Sequence, residues 1–147
     1  NCTYKVIVYN KKTKQWGKIQ DYSKNTTINW TAGSDGDRQF FVDIKDANGK
    51  VTRSSATEVK VTSYTINTNV TSKNGVYTFT ANVPNAKGLT YKFIVYNKTT
   101  KKWGLVQNFS SKNVCTWKAG SAGDREFYID VKDANGTVTR SSAINIK

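Results

Sequence analysis

The sequence contains no histidine and no methionine, a single proline and two cysteines. Without histidine there is no Ser–His or Cys–His pair, no histidine-based metal centre, and no side chain whose ordinary pKa lies near neutrality. Catalysis by carboxylates or lysine alone is chemically open. Even so, the sequence reads as that of a non-catalytic protein with no catalytic residues, no cofactor and no metal site. Long apolar runs are also missing. None approaches the roughly 18–20 residues needed to span a bilayer, so no membrane insertion is expected. Acidic residues are few: ten Asp and Glu stand against 23 Lys and Arg, for a formal charge of +13. A balance this basic favours polyanionic partners. The lysines are scattered, with short clusters at Lys11, Lys12 and Lys14 and at Lys98, Lys101 and Lys102. Nucleic acid, which calls for a groove both aromatic and basic, is disfavoured as the polyanion.

What the chain has instead is a repeat. Residues 2–60 align without a gap on residues 89–147, with roughly 35 of 59 pairs identical. The phrase "RQFFVDIKDANGKVTRSS" from Arg38 returns as "REFYIDVKDANGTVTRSS" from Arg125. Residues 63–88, "SYTINTNVTSKNGVYTFTANVPNAKG", precede the second copy and have no counterpart before the first. We therefore expect residues 62–147 to form a complete unit. Residues 1–61 are expected to form a partial one lacking its first two strands, in a natural protein that extends upstream. Such a truncated unit is expected to expose a sheet edge and part of a core, and either to be covered by a neighbouring chain or to have lost its missing strands by proteolysis after folding.

Within the complete unit, short stretches rich in β-branched and aromatic residues alternate apolar with polar. They cover Tyr64–Asn69, Gly75–Val83, Tyr91–Asn97, Trp103–Phe109, Val114–Lys118, Arg125–Lys132 and Thr137–Ile146. Turn residues separate them, and no stretch holds a helical period. The expected fold class is all-β: tandem immunoglobulin- or fibronectin-III-like β-sandwiches. Parity puts Phe127, Ile129 and Val131 toward the core and Tyr128, Asp130 and Lys132 outward; the first copy repeats this with Phe40, Val42 and Ile44 against Phe41, Asp43 and Lys45. Asn48-Gly49 and Asn135-Gly136 predict two-residue type I′ hairpins. Trp30 and Trp117 are expected on a short core strand beside Ile28 and Cys115. Cys2 and Cys115 each align with an aliphatic residue of the other copy and are read as buried small hydrophobes rather than a disulfide. Asp37-Arg38 and Asp124-Arg125 are read as structural ion pairs.

The stretch "YKFIVYNKTTKKWGLVQNFSSKNVCTWKAGSAGDREFYIDVKDANG", from Tyr91, resembles the triple-tyrosine modules of bacterial extracellular proteins. The likeness covers most of residues 64–147 and all of 1–61. Tyr91 and Tyr4 keep the first tyrosine, Cys115 and Ile28 stand at the second, and Arg125 and Arg38 stand at the third. The resemblance implies an extracellular or cell-surface location and tandem use in wall-associated proteins of Gram-positive bacteria, with no catalytic residues.

For direct ligand binding, the outward sheet face is the place to look. Tyr96, Trp103, Tyr128 and Asp130 gather there in the second copy, and Tyr9, Trp16, Phe41 and Asp43 in the first. Aromatic faces beside a carboxylate stack on sugar rings and hydrogen-bond hydroxyls. The expected function is a spacer or an adhesion and cell-wall-binding unit, with anionic wall polymers or glycans as partners. The alternative is a sensor-receptor module that takes part in ligand sensing or dimerisation.

Overall fold

The computed structural model describes residues 1–147 and contains strands but no helix. The chain divides into two compact units, Asn1–Ser63 and Tyr64–Lys147.

The first unit is a single antiparallel sheet. Its strands are β1 (Thr3–Asn10), β2 (Gln15–Ser23), β3 (Arg38–Lys45) and β4 (Val51–Arg53), in the order β2-β1-β3-β4. A short β5 (Thr57–Val59) pairs with the opening residues of β3. The inner face carries Tyr4, Val6 and Val8 from β1 and Phe40, Val42 and Ile44 from β3, and no second sheet lies over it within the unit. Val6 and Val8 are buried, Phe40 and Val42 are half-buried, and Ile44 is exposed.

The second unit has both layers. β6 (Asn67–Lys73), β7 (Val76–Asn82) and β10 (Val114–Lys118) form one sheet in the order β10-β7-β6. β8 (Thr90–Asn97), β9 (Lys102–Ser110), β11 (Arg125–Lys132) and β12 (Val138–Arg140) form the other, in the order β12-β11-β8-β9, with β13 (Ile144–Ile146) on the opening residues of β11. Three strands against four, joined in this order, is the fibronectin-III type of Greek-key sandwich, so the fold class is all-β and immunoglobulin/fibronectin-III-like. The core lies between the layers. Phe79, Phe93, Phe127, Ile129 and Val131 are essentially sealed from solvent, and each contributes about 1.5–3 kcal/mol by burial. Phe79 of one sheet stacks on Phe127 of the other at 4.2 Å, and Trp117 meets Phe127 edge-on at 4.8 Å.

Several local features depart from the sequence reading, each for an identifiable reason. The first strand of the second unit runs Asn67–Lys73 rather than Tyr64–Asn69. Its hydrogen-bonding span is set by the Asn74-Gly75 turn, where both residues take positive φ (52° and 74°) as a type I′ hairpin requires. At the two "DANG" turns only the glycine has positive φ, +83° in each copy, so these are not type I′ turns. There the Asp46 carboxylate accepts from the amides of Asn48 and Lys50, the Gly49 amide donates to Asp46 O, and Asp133 repeats the pattern. This is a type I turn closed by a glycine bulge and templated by the aspartate.

The predicted final strand is split in two around Ser141. Its amide donates to Ile129 O at 2.9 Å and its hydroxyl accepts from the Ile129 amide at 3.0 Å, so a side chain completes the ladder where the backbone bends away. Ser54 does the same for Val42 in the first unit. The arginines at core parity hold no aspartate. Arg125 donates to the carbonyls of Gly123, Asp124 and Ser121 and to Ser121 Oγ, and Arg38 donates likewise to the carbonyls of Ser34, Asp35 and Gly36 and to Ser34 Oγ. A loop folded around the guanidinium satisfies it with backbone oxygens, leaving Asp37 to pair with Lys60. Burial pulls the Arg38 pKa down against the opposing charges of Asp35 and Asp37. The loop depends on its glycine: Gly123 has φ +113°, and a β-carbon there would sit 2.8 Å from Thr99 Oγ1.

Residues 27–31, expected as a strand around Trp30, are not one. In the second unit the equivalent strand β10 pairs only with β7, and the first unit has no β7. Cys2 is exposed for the same reason: its counterpart Leu89 is buried in the two-layer core, and no such layer covers Cys2. Cys115 is buried, its thiol pKa pushed up by desolvation, and both thiols are free.

The two environments of one sheet predict unequal mutational costs. Phe127→Ala is expected to destabilise the second unit by about 3–5 kcal/mol, whereas Phe40→Ala, at the aligned but half-buried position, costs the first unit well under half of that. Urea titrations followed by amide exchange in each unit measure the two separately; equal losses would contradict the assignment.

Candidate functional site

The outer face of each four-stranded sheet gathers the sequence-predicted residues. On β8, Tyr96 sits across from Trp103 of β9, their rings 4.9 Å apart. Trp103 also leans on Tyr128 of β11 at 5.5 Å. The first unit repeats this with Tyr9, Trp16 and Phe41, at 4.9 and 5.4 Å. Strand pairing fixes the arrangement: alternation turns these side chains outward, and the register brings three strands' aromatics into one row. The indoles lie at the outside of the row, with Trp16 57% and Trp103 56% exposed.

Asp43 and Asp130 lie on the same face but cannot serve as ligand-binding carboxylates. They are 4% and 2% exposed, sealed beneath arginines supplied by the neighbouring short strand. Arg140 Nε donates to Asp130 Oδ1 at 2.6 Å and Nη2 to Oδ2 at 2.9 Å; Arg53 grips Asp43 with the same two distances. Lys92 adds a second cation to Asp130 at 3.4 Å. The planar guanidinium matches the carboxylate fork and leaves a flat face for the aromatics. Accordingly Arg140 lies 5.8 Å from the Trp103 ring and 5.6 Å from Tyr128, and Arg53 lies 5.9 Å from Phe41. These hydrogen bonds raise the arginine pKa values and hold the Asp43 carboxyl below the ordinary carboxylate range.

The row continues past the ion pair. Lys132 and Lys92 lie over Phe109 at 4.2 and 5.2 Å, and Lys45 and Lys5 over Tyr22 at 4.1 and 5.9 Å. At the other end, Tyr128 donates its hydroxyl to Glu126, which also pairs with Lys98. The Glu126 hydrogen bond raises the Tyr128 pKa, while Lys98 first and Tyr128 second hold Glu126 low. Alongside runs a shallow groove of about 450 Å³ in the first unit, between Trp16, Lys5, Lys18 and Arg53, and of about 370 Å³ in the second, between Trp103, Lys92, Leu105 and Arg140. Lys18 Nζ also reaches Asp21 at 2.7 Å, and that exposed pair is screened by solvent. The groove is thus aromatic and cationic, with its carboxylates already neutralised. It suits an anionic ligand with flat or ring-shaped apolar surfaces.

Sequence reading did not place Arg53 and Arg140 here. The signal was available: a hairpin centred on "DANG" sets Asp43 opposite Arg53 and Asp130 opposite Arg140.

No family model matches the chain, and no curated protein matches it. Among solved structures it is similar to the FN1–FN3 domains of chicken CNTN1, at 11% identity and a TM-score of 0.39, covering 99% of this chain and 56% of that one. It is also similar to the fibronectin(III)-like modules of Clostridium thermocellum CbhA, at 17% identity and a TM-score of 0.37, covering 96% of this chain and 74% of that one.

Two outcomes are expected from the buried ion pairs. Removing the Arg140 side chain leaves Asp130 sealed with Lys92 alone, so Arg140→Ala is expected to lower the stability of the second unit by about 2 kcal/mol, as read by urea denaturation. Because folding lowers the Asp43 pKa, its contribution is complete above the unfolded carboxylate value of about 4 and is lost as pH falls through the folded value. Asp43→Asn should therefore weaken the first unit at pH 7 and flatten the acid limb of its stability profile; an unchanged acid limb would refute this role.

Proposed function

We propose that the chain is a non-catalytic β-sandwich module of a larger extracellular or cell-surface protein, serving as an adhesion or cell-wall-binding unit. The outer grooves are its contact surface for anionic wall polymers or acidic glycans. The observation that carries this reading is a groove, present in both units, lined by a more than half-exposed tryptophan and by an arginine saturated by a carboxylate. An exposed indole costs solvation and contributes little to the core, whereas it supplies a stacking surface for a sugar ring. The cations beside it supply attraction for phosphate or carboxylate groups, within the field of a chain carrying +13. Two such grooves in one chain allow a polymer to be held at two points, raising avidity when each single contact is weak.

Co-sedimentation with purified Gram-positive cell walls, or titration with an acidic polysaccharide, tests the proposal. Binding is expected at low salt and should weaken steadily as ionic strength rises. The Trp16→Ala/Trp103→Ala double variant, whose side chains lie at the surface, is expected to stay folded and to bind about tenfold more weakly. Failure of the intact chain to bind at low salt would remove the polymer-binding role.

A further inference from the structure

The two outer grooves share their aromatic spacing but not the placing of their charges. Lys5, Ile7, Trp16 and Arg53 line the first where Lys92, Ile94, Trp103 and Arg140 line the second. One lining position breaks the match: Lys18 of the first groove is Leu105 in the second. Each stands on the border strand, two residues after the tryptophan. Leu105 is 62% exposed, so this wall of the second groove is apolar and carries no donor. The first groove has an ammonium at the same point, on an exposed side chain.

The cations common to both grooves are also placed differently. In the second unit they turn onto the groove's own groups: Lys92 Nζ lies 3.4 Å from Asp130, and the Arg140 guanidinium lies 5.8 Å from the Trp103 ring. In the first unit Lys5 makes no ion pair with Asp43, lying instead 5.9 Å from the Tyr22 ring, and Arg53 reaches Phe41 but not Trp16. The first groove is also the larger, at about 450 Å³ against about 370 Å³. Lys18 is tied at 2.7 Å to Asp21, but that carboxylate is exposed and lies outside the groove lining. Solvent screens the tie, and an entering anion displaces it at little cost.

We propose that the two grooves take different parts of one acidic polysaccharide: the first, through Lys5 and Lys18, holds its carboxylate or phosphate groups, and the second, through Trp103 and Leu105, holds an uncharged face of its sugar rings. This rests on the outer grooves being the contact surface of the module. A ring stacked on Trp16 brings its charged substituent beside two ammonium groups, neither of them bound to the buried Asp43. A ring stacked on Trp103 meets Leu105 instead, and removal of apolar surface from water, which salt does not screen, holds it there. Lys18 and Leu105 are thus the specificity-determining pair.

The test follows the indole amide resonances of the intact chain during titration with an oligogalacturonate, and with the same oligomer fully methyl-esterified. Esterification keeps the rings and removes the charge, and Trp16 and Trp103 report the two grooves separately. At low salt, esterification is expected to weaken binding about tenfold at Trp16 and less than about twofold at Trp103. Lys18→Leu should bring the response at Trp16 to within about twofold of that at Trp103, and Leu105→Lys should give Trp103 a charge dependence of about tenfold. Both substitutions lie at exposed positions of a border strand, and unchanged core resonances check that the fold is kept. Equal sensitivity of the two indoles to esterification, or substitutions that leave it unaltered, overturns this division while the grooves stand as the contact surface. Absence of a shift at either indole with either oligomer overturns the division and the contact surface together.

Discussion

The carboxylates of Asp43 and Asp130 are the point on which each outer face turns. An aspartate on the central strand of a sheet, shut away from water, is tolerable only if both oxygens are engaged. That requirement brings an arginine across from the neighbouring strand and lays its guanidinium flat. The flat guanidinium then orders Tyr128 or Phe41, and in the second unit Trp103 as well, into a row of aromatic and cationic groups. With the carboxylate neutralised, the surface left for a ligand is cationic. One buried charge thus decides both the geometry and the sign of the groove.

The two units hold nearly the same four-stranded sheet in two surroundings. With a second layer, Phe127 and Ile129 are sealed; without one, Phe40 and Val42 are half-buried. The outer rows keep their spacings in both units, to within about a tenth of an ångström between ring centroids. The outer surface is therefore set by the sheet's own register and hairpins. It does not depend on the layer packed beneath.

Much of this was readable from residue order alone. Alternation along "REFYIDVK" sorted the inner sheet face from the outer one, and turn spacing marked seven strands, the last of which is two short strands divided at Ser141. Pattern failed where a partner outside the local window decides the outcome. Ile28 and Trp30 carry a strand's alternation, but a strand exists only when another pairs with it. Asn135-Gly136 carries a type I′ signature, but the preceding Asp133 captures two amides and imposes a different turn. Arg125 was assigned an acidic partner because it stands at core parity beside Asp124, although a loop of carbonyls satisfies it equally well. The Asp130–Arg140 pair was missed because the two residues are distant in the chain and adjacent only once the hairpin register is known.

Ser54 and Ser141 bear on self-association. By substituting a side chain for a backbone partner in mid-ladder, each breaks what would be one long border strand into two three-residue pieces. The opposite border, β2 or β9, is interrupted by register shifts against its neighbour. Neither rim of the sheet offers the long, flat run of free amides and carbonyls from which strands of other molecules grow into aggregates. These two hydroxyls keep strand addition away from the borders of the sheet.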